Sequence, residues 1–300
     1  MGRMTANDRP GRRRPRNKKA AWITGGLLFL VAFGLMGILR GGSSMPAQGS
    51  HIARINLAGP ILAAEPAVDL LERAQERDQI RGVLLHVDSP GGGVGASEAI
   101  YKAVKRLSAN KPVAVSMGAM AASGGYMAAL GGDRIFAMES TLTGSIGVIM
   151  VSSGFYPLLD KIGVEPRIIK SGQFKDAGTP LREMTDADRA YLQSVVDELH
   201  SQFTDLVAER RGLAPDRVAD LADGRIFSGR QAKENGLVDA VGGLAAAEEW
   251  VRKQADVPAS APVRELQPPK KWLEEFLPAG WAGWATLHFS PKPQYLYLAE

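Results

Sequence analysis

Short apolar runs alternate with stretches of helical spacing along most of the chain after residue 51. The runs are rich in Val, Ile and Leu and cover residues 52–57, 82–87, 112–117 and 134–138. Between them, residues 68–79 and 95–107 repeat apolar positions at the interval of an amphipathic helix. Strands that are apolar on both faces are typical of a parallel sheet covered by helices, so the pattern predicts an α/β fold with a mostly parallel sheet and flanking helices.

The longest predicted helix covers residues 185–211. Thr185 and Asp188 have the spacing of a capping box, in which each side chain accepts a hydrogen bond from the other residue's backbone amide. The apolar positions that follow share one face of this helix. They are Tyr191, Leu192, Val195, Val196, Leu199, Phe203, Leu206 and Val207. Such a stripe predicts a helix that packs against the hydrophobic core.

A long uncharged segment lies near the N-terminus. Residues 22–39 are eighteen residues without a charged side chain, which is enough to cross the hydrocarbon core of a bilayer. Residues 1–20 hold eight Lys or Arg and one Asp, and the positive-inside rule keeps such a tail in the cytoplasm. We therefore expect a basic cytoplasmic tail at 1–20 and a single transmembrane anchor at 21–40 in the cell membrane. Everything after Arg40 is then extracytoplasmic, in the periplasm or on the outer side.

Two other interpretations of the uncharged segment are a secretory signal peptide and a buried core helix. A signal peptide has a shorter apolar core and then a cleavage site, and residues 43–50, SSMPAQGS, resemble such a site only weakly. Hydrophobic cores rarely begin beside a cluster of cations. An uncleaved anchor is therefore favoured.

The chain after the anchor divides by composition. The whole chain, with 300 residues of which 45% are hydrophobic, can bury a sizeable core. Residues 41–50 are small and polar, as in a flexible linker, and a folded domain is predicted at 51–255. Residues 256–300 differ, with Pro-rich patches and three tryptophans at 272, 281 and 284. This tail is expected to be an oligomer contact or a membrane-interface segment, with packing on its own domain as the alternative.

Charge and cysteine content exclude several classes of function. The formal net charge is +4, but the first twenty residues carry +7 and the rest sums to −3. Because this basic tail runs directly into the apolar segment, we interpret it as a membrane flank and expect no nucleic-acid partner. The chain has no cysteine, which removes disulfides, a cysteine nucleophile and thiolate metal ligands. None of the four histidines pairs with another at metal-ligand spacing. We expect no metal and no other cofactor.

A glycine-rich turn joins the second apolar run to the next helix at residues 88–96. Gly91, Gly93 and Ala96 match the loose dinucleotide fingerprint G-x-G-x-x-A. However, the next strand, PVAVSMGAM, lacks the acidic end that would hold a ribose, and the turn has no Walker lysine. The same backbone amides could form an oxyanion hole for a tetrahedral intermediate. From these residues alone, a phosphate site, an oxyanion hole and a purely structural turn all stay open.

Ser123 follows an apolar strand and precedes two glycines, where a sharp turn into a helix would present a hydroxyl above a sheet. A turn or helix-cap serine has the same setting, so a catalytic role depends on a base. No histidine is well placed, but a lysine can serve where burial disfavours its ammonium form. Ser108 and Lys111 match S-x-x-K but lie at a polar helix end. Lys175 lies in a glycine-broken loop after an apolar strand, where an ordinary surface lysine is the alternative.

Five short blocks occur in one order along residues 52–245. They are DSPGG at 88–92, AASGGY at 121–126, TGSIGV at 143–148, KSGQFKDAGTP at 170–180 and GRIFSGRQAKENGLVD at 224–239. Together they resemble the signal peptide peptidase A family. The resemblance implies a fold like that of Clp proteases and crotonases, and a serine protease that works with a Ser/Lys dyad.

The resemblance assigns roles to single residues. Ser123 is implied as the nucleophile, Lys175 as the general base, and Ser145 as the side chain that hydrogen-bonds and orients the lysine. The implied oxyanion donors are backbone amides.

One implied donor is the amide of Gly124. The other belongs to the glycine pair after Pro90, where we prefer Gly92 over Gly91.

The resemblance also implies an assembly and a substrate. Some relatives carry two copies of the domain and complete the dyad between them, whereas this chain has one copy. We therefore expect a homo-oligomeric ring in which the lysine of one protomer reaches the serine of its neighbour. The implied substrates are apolar signal peptide remnants released in the membrane.

Three rival functions accompany this interpretation. The first is a related membrane protease that cuts other membrane-protein segments. The second is a crotonase-type acyl-CoA enzyme, which would need neither Lys175 nor Ser145. The third is a catalytically silent membrane scaffold, against which the intact serine and lysine set argues.

Overall fold

The apolar runs form one sheet at the centre of the protein. The structure is a computed structural model and describes residues 49–267. Its strands are β1 (His51–Ala58), β2 (Ile80–Ser89), β3 (Val113–Ala122), β4 (Arg134–Ala137), β5 (Leu142–Gly144), β6 (Ile226–Ser228), β7 (Ala240–Val241) and β8 (Val263–Glu265). They pair in the order β6-β5-β3-β2-β1-β8, with β4 beside β3 and β7 beside β4. Every pair is parallel except β5 with β6.

Helices connect or flank these strands. Within the described residues they are α1 (Glu65–Glu76), α2 (Val94–Ser108), α3 (Gly124–Ala129), α4 (Tyr156–Lys161), α5 (Asp186–Arg211), α6 (Pro215–Leu221), α7 (Gly229–Glu234) and α8 (Leu244–Gln254). The predicted α/β class with a mostly parallel sheet is confirmed.

The sheet is covered on both faces, which explains its continuous apolar runs. Successive side chains of a strand point to opposite faces, and on β2 the buried neighbours Leu84 and Leu85 belong to different hydrophobic clusters. The larger cluster includes buried residues of α1, α2 and α3. The smaller one is closed by Ala247 and Val251 of α8.

Strand β3 changes partners along its length, and this sets the position of its carboxyl end. Residues 114–116 pair with β4, whereas residues 120–122 pair with β5. The register between β2 and β3 shifts between Val87 and Ser89. At this shift the Asp88 carboxylate accepts a hydrogen bond from the Met120 amide at 3.0 Å. As a result, β3 ends beside β5, at Ser123.

Helix α5 begins at the predicted capping box but leaves the core along its N-terminal half. The Thr185 hydroxyl accepts from the Asp188 amide and the Asp188 carboxylate accepts from the Thr185 amide, both at 3.1 Å. Phe203 and Val207 are buried, whereas Tyr191 is 43% exposed. The prediction that the apolar stripe packs on the core is therefore correct only for its C-terminal half.

Several predicted segments lie at or beyond the ends of the described region. Strand β8 pairs with β1, with Val263 opposite Ile52, so the sheet continues past residue 255. The basic tail, the predicted anchor and the three C-terminal tryptophans lie outside the described residues. Among residues 49–267, no helix is both long and apolar enough to cross a membrane.

Candidate active site

Ser123 lies where β3 turns sharply into α3. Its φ of 52° and ψ of −121° fall in a region that L-residues rarely adopt. The backbone on both sides is fixed, because the Ser123 amide donates to the Gly144 carbonyl at 2.8 Å and its carbonyl accepts from the Met127 amide at 2.9 Å. The residue itself is half-buried. The turn therefore holds the hydroxyl at the carboxyl end of β3.

Ser145 occupies the matching position one strand away. Ala122 and Gly144 are paired in the register of β3 and β5, and each is followed directly by one of the two serines. Ser145 also has a positive φ, 48°. Its amide donates to the Arg225 carbonyl at 2.9 Å. The two serines thus share one end of the sheet, where the carboxyl ends of parallel strands commonly form binding sites.

The glycine loop after β2 is pinned by the segment that precedes α1. The Ile61 amide donates to the Gly91 carbonyl at 2.8 Å, and the Ile61 carbonyl accepts from the Gly93 amide at 2.9 Å. The Gly91 amide donates to the Ser89 hydroxyl at 3.1 Å. Within residues 49–267 the Gly92 amide has no hydrogen-bond partner. Of the two glycines, Gly92 is therefore the one whose N–H is available to a ligand oxygen.

The loop, α2 and α3 approach so closely that glycine is required at their contacts. A Cβ on Gly124 would lie 2.1 Å from Ser97 Oγ and 3.3 Å from the Gly92 nitrogen. A Cβ on Gly91 would lie 2.9 Å from the Ser123 Cβ. The amides of Gly92 and Gly124 and the side chain of Ser123 therefore lie in one small region.

Ser97 makes a contact in this region that the sequence does not predict. It is fully buried in the first turn of α2, and its hydroxyl donates to the Gly93 carbonyl at 3.0 Å. Its only signal in the sequence is a small polar residue on the buried face of the helix.

Lys175 has an exposed side chain in the loop at residues 170–180. No hydrogen bond or ion pair joins its ammonium group to any other residue that the structure describes, including Ser123 and Ser145. The structure therefore assembles both serines with Gly92 and Gly124 but does not join Lys175 to them. A lysine that acts as a base is expected to be buried. Within the described residues of one chain, Lys175 is not buried.

Four charged side chains near Lys175 in the sequence form an ion cluster that the sequence does not predict, namely Lys170, Asp176, Arg182 and Asp188. Arg182 binds both carboxylate oxygens of Asp176, at 2.8 and 3.0 Å, and one of Asp188 at 2.5 Å. Lys170 binds Asp176 at 2.5 Å. The only sequence signal is the equal spacing, since Arg182 lies six residues from each aspartate.

Hydrogen bonds in this ion cluster shift the pKa of both carboxyl groups. Those from Arg182, and then from Lys170, hold the pKa of Asp176 well below its usual range. Arg182 likewise lowers the pKa of Asp188. A depressed pKa contributes stability that is fully present above the ordinary carboxyl value and is lost as pH falls through the lowered one. The cluster therefore stays charged throughout the neutral range.

An exposed apolar surface precedes this loop. Residues 149–169, which we call the apolar arm, include the short helix α4 and expose most of their large apolar side chains. These are Ile149, Met150, Val151, Phe155, Leu158, Ile162, Val164, Ile168 and Ile169, the last of them 100% exposed. Apolar exposure of this extent is typical of a surface that another molecule covers.

The other candidate bases are engaged elsewhere. The ammonium group of Lys111 donates to two carbonyls at the C-terminal end of α1, both at 2.8 Å. His86 and His200 each contact a backbone carbonyl, at 3.1 and 2.7 Å. Within the described residues, none of these three is bonded to Ser123.

Comparison with known families separates the remaining interpretations. The model of peptidase family S49 matches residues 105–258, and that of Clp protease matches residues 55–143. The chain belongs to peptidase family S49. Ser123, Ser145 and Lys175 lie inside the S49 match, and the glycine loop lies inside the Clp protease match.

Relatives of this S49 peptidase differ in how much of their length it covers. A protein of Methanocaldococcus jannaschii, provisionally named a protease, is 42% identical over 58% of this chain and 56% of its own. A protein of Enterococcus faecium, provisionally named signal peptide peptidase SppA, is 36% identical over 76% of this chain and 71% of its own. The chloroplastic serine protease SPPA of Arabidopsis thaliana is 31% identical over 76% of this chain and 35% of its own.

Membership of S49 fixes the reaction class. The chain is a serine protease with a Clp-protease-like α/β domain. The resemblance to the signal peptide peptidase A family is confirmed, and the family matches favour the protease over the acyl-CoA enzyme.

Proposed function

We propose that this S49 protease is a membrane-anchored endopeptidase with a Ser123/Lys175 dyad, and that it digests signal peptide remnants released in the membrane. The observation that carries the proposal is the arrangement around Ser123. A strained turn fixes its hydroxyl, and Ser145 follows the paired strand. The amide of Gly92, which has no partner among residues 49–267, lies beside Gly124. This is the combination of nucleophile and oxyanion donors that acyl transfer needs.

In the proposed reaction the neutral amine of Lys175 takes the proton of Ser123 while Ser123 Oγ bonds to the peptide carbonyl carbon. The carbonyl oxygen becomes an oxyanion, to which the Gly92 and Gly124 amides donate hydrogen bonds. The C–N bond then breaks and the Lys175 ammonium returns the proton to the leaving amine. A water molecule, deprotonated by the same lysine, bonds to the acyl carbon, the bond from that carbon to Ser123 Oγ breaks, and the lysine returns the proton to Oγ. The hydroxyl of Ser145 orients the lysine throughout.

The exposed position of Lys175 supports an active site shared between protomers. A homo-oligomeric ring would bring Lys175 of one protomer to Ser123 of the next and would bury it in the contact, which favours its neutral form. The apolar arm, just before the loop of Lys175, offers a surface for that contact. In this assembly a separate monomer is inactive.

The proposed substrates are apolar peptides within reach of the membrane. The Enterococcus relative is named provisionally for signal peptides, and the uncharged span at residues 22–39 would hold the domain beside such remnants. Cleavage of other membrane-protein segments is the closest alternative, and comparing both peptide types as substrates separates the two.

The proposed topology puts the N-terminus in the cytoplasm and the protease domain outside it. In intact spheroplasts, protease added from outside should cut the chain beyond Arg40, while a tag at residue 1 stays protected until lysis. A domain that survives this digestion intact, in spheroplasts whose known external proteins are degraded, contradicts the topology.

The nucleophile is tested directly by a serine-reactive fluorophosphonate probe on the detergent-solubilised full-length chain. We expect covalent labelling at Ser123, because only an activated hydroxyl attacks the probe. Equal labelling of a Ser123→Ala variant would show that the reactive serine lies elsewhere.

A further inference from the structure

The loop that carries Lys175 is held by its two sequence neighbours. On one side, the ring of Phe174 stacks on Tyr191 of α5, with centroids 4.8 Å apart. On the other side, Asp176 is bound by Arg182 and Lys170, and only 10% of its side chain is exposed. Lys175 lies between these two anchored residues, and its own side chain stays exposed.

Arg182 connects this loop to the first turn of α5. It binds Asp176 through two nitrogens, and a third nitrogen binds Asp188, whose side chain is 3% exposed. Asp188 is at the same time the capping-box residue of α5. Two cations and two carboxylates balance one another, so a half-buried ion cluster forms without a net charge.

The far end of α5 is fixed to the part of the protein that carries Ser123. Arg210 donates to the Leu130 and Gly132 carbonyls, at 2.7 and 3.0 Å, directly after α3. Phe203 is buried in the larger core cluster. The helix rises about 1.5 Å per residue, so Asp188 lies roughly 33 Å along the axis from Arg210. Helix α5 is therefore a rigid connection between the core and the loop of Lys175.

From these contacts we infer that Arg182 is a positioning residue, which clamps the loop of Lys175 onto α5 through Asp176 and Asp188. The inference rests on the proposed role of Lys175 as the base. A lysine side chain loses much rotamer entropy when it is held in place. Because the clamp already fixes the backbone of the loop, only the side chain of Lys175 has to be ordered for proton transfer. Small displacements of a catalytic group lower the reaction rate strongly, so a fixed loop favours catalysis.

The clamp is tested with Arg182→Gln in the full-length protein. Glutamine keeps much of the side-chain length but cannot bridge two carboxylates, so we expect kcat to fall about 10- to 100-fold with little change in KM. Arg182→Lys keeps the charge but not the bidentate geometry and should retain more activity than the glutamine variant. Arg189→Gln is the matched control, because it removes the same charge from an exposed position in the first turn of α5, next to Asp188.

Hydrogen exchange separates positioning from general loss of structure. The amides of Lys175, Ala177 and Thr179, which bond within the loop, should exchange faster in Arg182→Gln, while β2, β3 and the assembly size stay unchanged. The proposal is overturned if kcat of Arg182→Gln equals that of Arg189→Gln, or if the loop loosens without any loss of kcat. It is also overturned if the loss of activity follows a loss of assembly.

Subunit mixing assigns the defect to one half of the site. Arg182→Gln subunits have an intact Ser123, so mixing them with Ser123→Ala subunits should restore activity, because the partner supplies a well-placed lysine. Mixing them with Lys175→Ala subunits should not. The opposite pattern would overturn the clamp. If a mixture of Ser123→Ala and Lys175→Ala subunits shows no activity, the proposal of an active site shared between protomers is wrong. The comparison of kcat between Arg182→Gln and Arg189→Gln then still decides the role of Arg182.

Discussion

Replacing Ser123 by alanine is expected to abolish peptide hydrolysis while leaving the fold intact. The change removes one hydroxyl from a half-buried turn whose backbone hydrogen bonds to Gly144 and Met127 are independent of the side chain. Loss of a nucleophile typically costs at least about 10³-fold in rate. The measurement is turnover of a short apolar peptide by the purified full-length variant, with its circular dichroism and melting temperature compared with those of the wild type.

Ser108→Ala is the control for this experiment. Ser108 lies at the end of α2, where its hydroxyl donates to the Lys105 carbonyl at 3.1 Å, and the nearby Lys111 is bonded to α1. We expect its turnover to match the wild type. Full turnover by Ser123→Ala would reject Ser123 as the nucleophile, and most directly so if Ser108→Ala were the inactive variant.

Replacing Lys175 by arginine is expected to be as damaging as replacing it by alanine. Arginine keeps the positive charge and could keep any ion pair, but its guanidinium does not give up its proton at working pH. If Lys175 served only as a surface charge, the arginine variant would stay active. The measurement is kcat of both variants, with a loss of at least about 10³-fold expected for each.

Mixed subunits show whether this lysine acts within a chain or between chains. Inactive Ser123→Ala subunits mixed with inactive Lys175→Ala subunits should regain partial activity, because some contacts then join an intact serine to an intact lysine. A co-assembled mixture without activity would mean that the dyad lies within one chain. Ser145→Ala should lower kcat less than either Lys175 variant, since it removes the proposed orienting hydrogen bond and leaves the proposed base in place.

The sequence predicts the parts of this protein that depend on local pattern. The apolar runs locate β1 to β4 because buried parallel strands need no polar face, and Thr185 with Asp188 predicts the start of α5 because capping is a short-range interaction. The turn at Ser123 is also local. Each of these signals spans only a few neighbouring residues.

Features that depend on contacts between distant segments cannot be predicted from local sequence patterns. An apolar stripe on a helix has the same sequence pattern whether it packs against the core or stays exposed. The exposure of Tyr191 can therefore not be predicted from the sequence. The choice of Gly92 over Gly91 depends on Ser89 and Ile61 occupying the other polar groups of the loop. The partners of Arg182 depend on how a glycine-containing loop folds back on α5, which no periodicity encodes.

The backbone angle of Ser123 implies a trade-off between thermal stability and activity. Of the three non-glycine residues with positive φ in the described chain, two are the serines of the candidate site. Holding a side-chain-bearing residue in such a region costs of order 1–3 kcal/mol, and glycine adopts it without that penalty. With glycine at this position we therefore expect the protein to melt at a higher temperature and, on the proposed role of Ser123, to lose its activity. A more heat-resistant variant made at this position would thus lose the proposed catalysis, which is the trade-off between stability and activity that strained active sites commonly show.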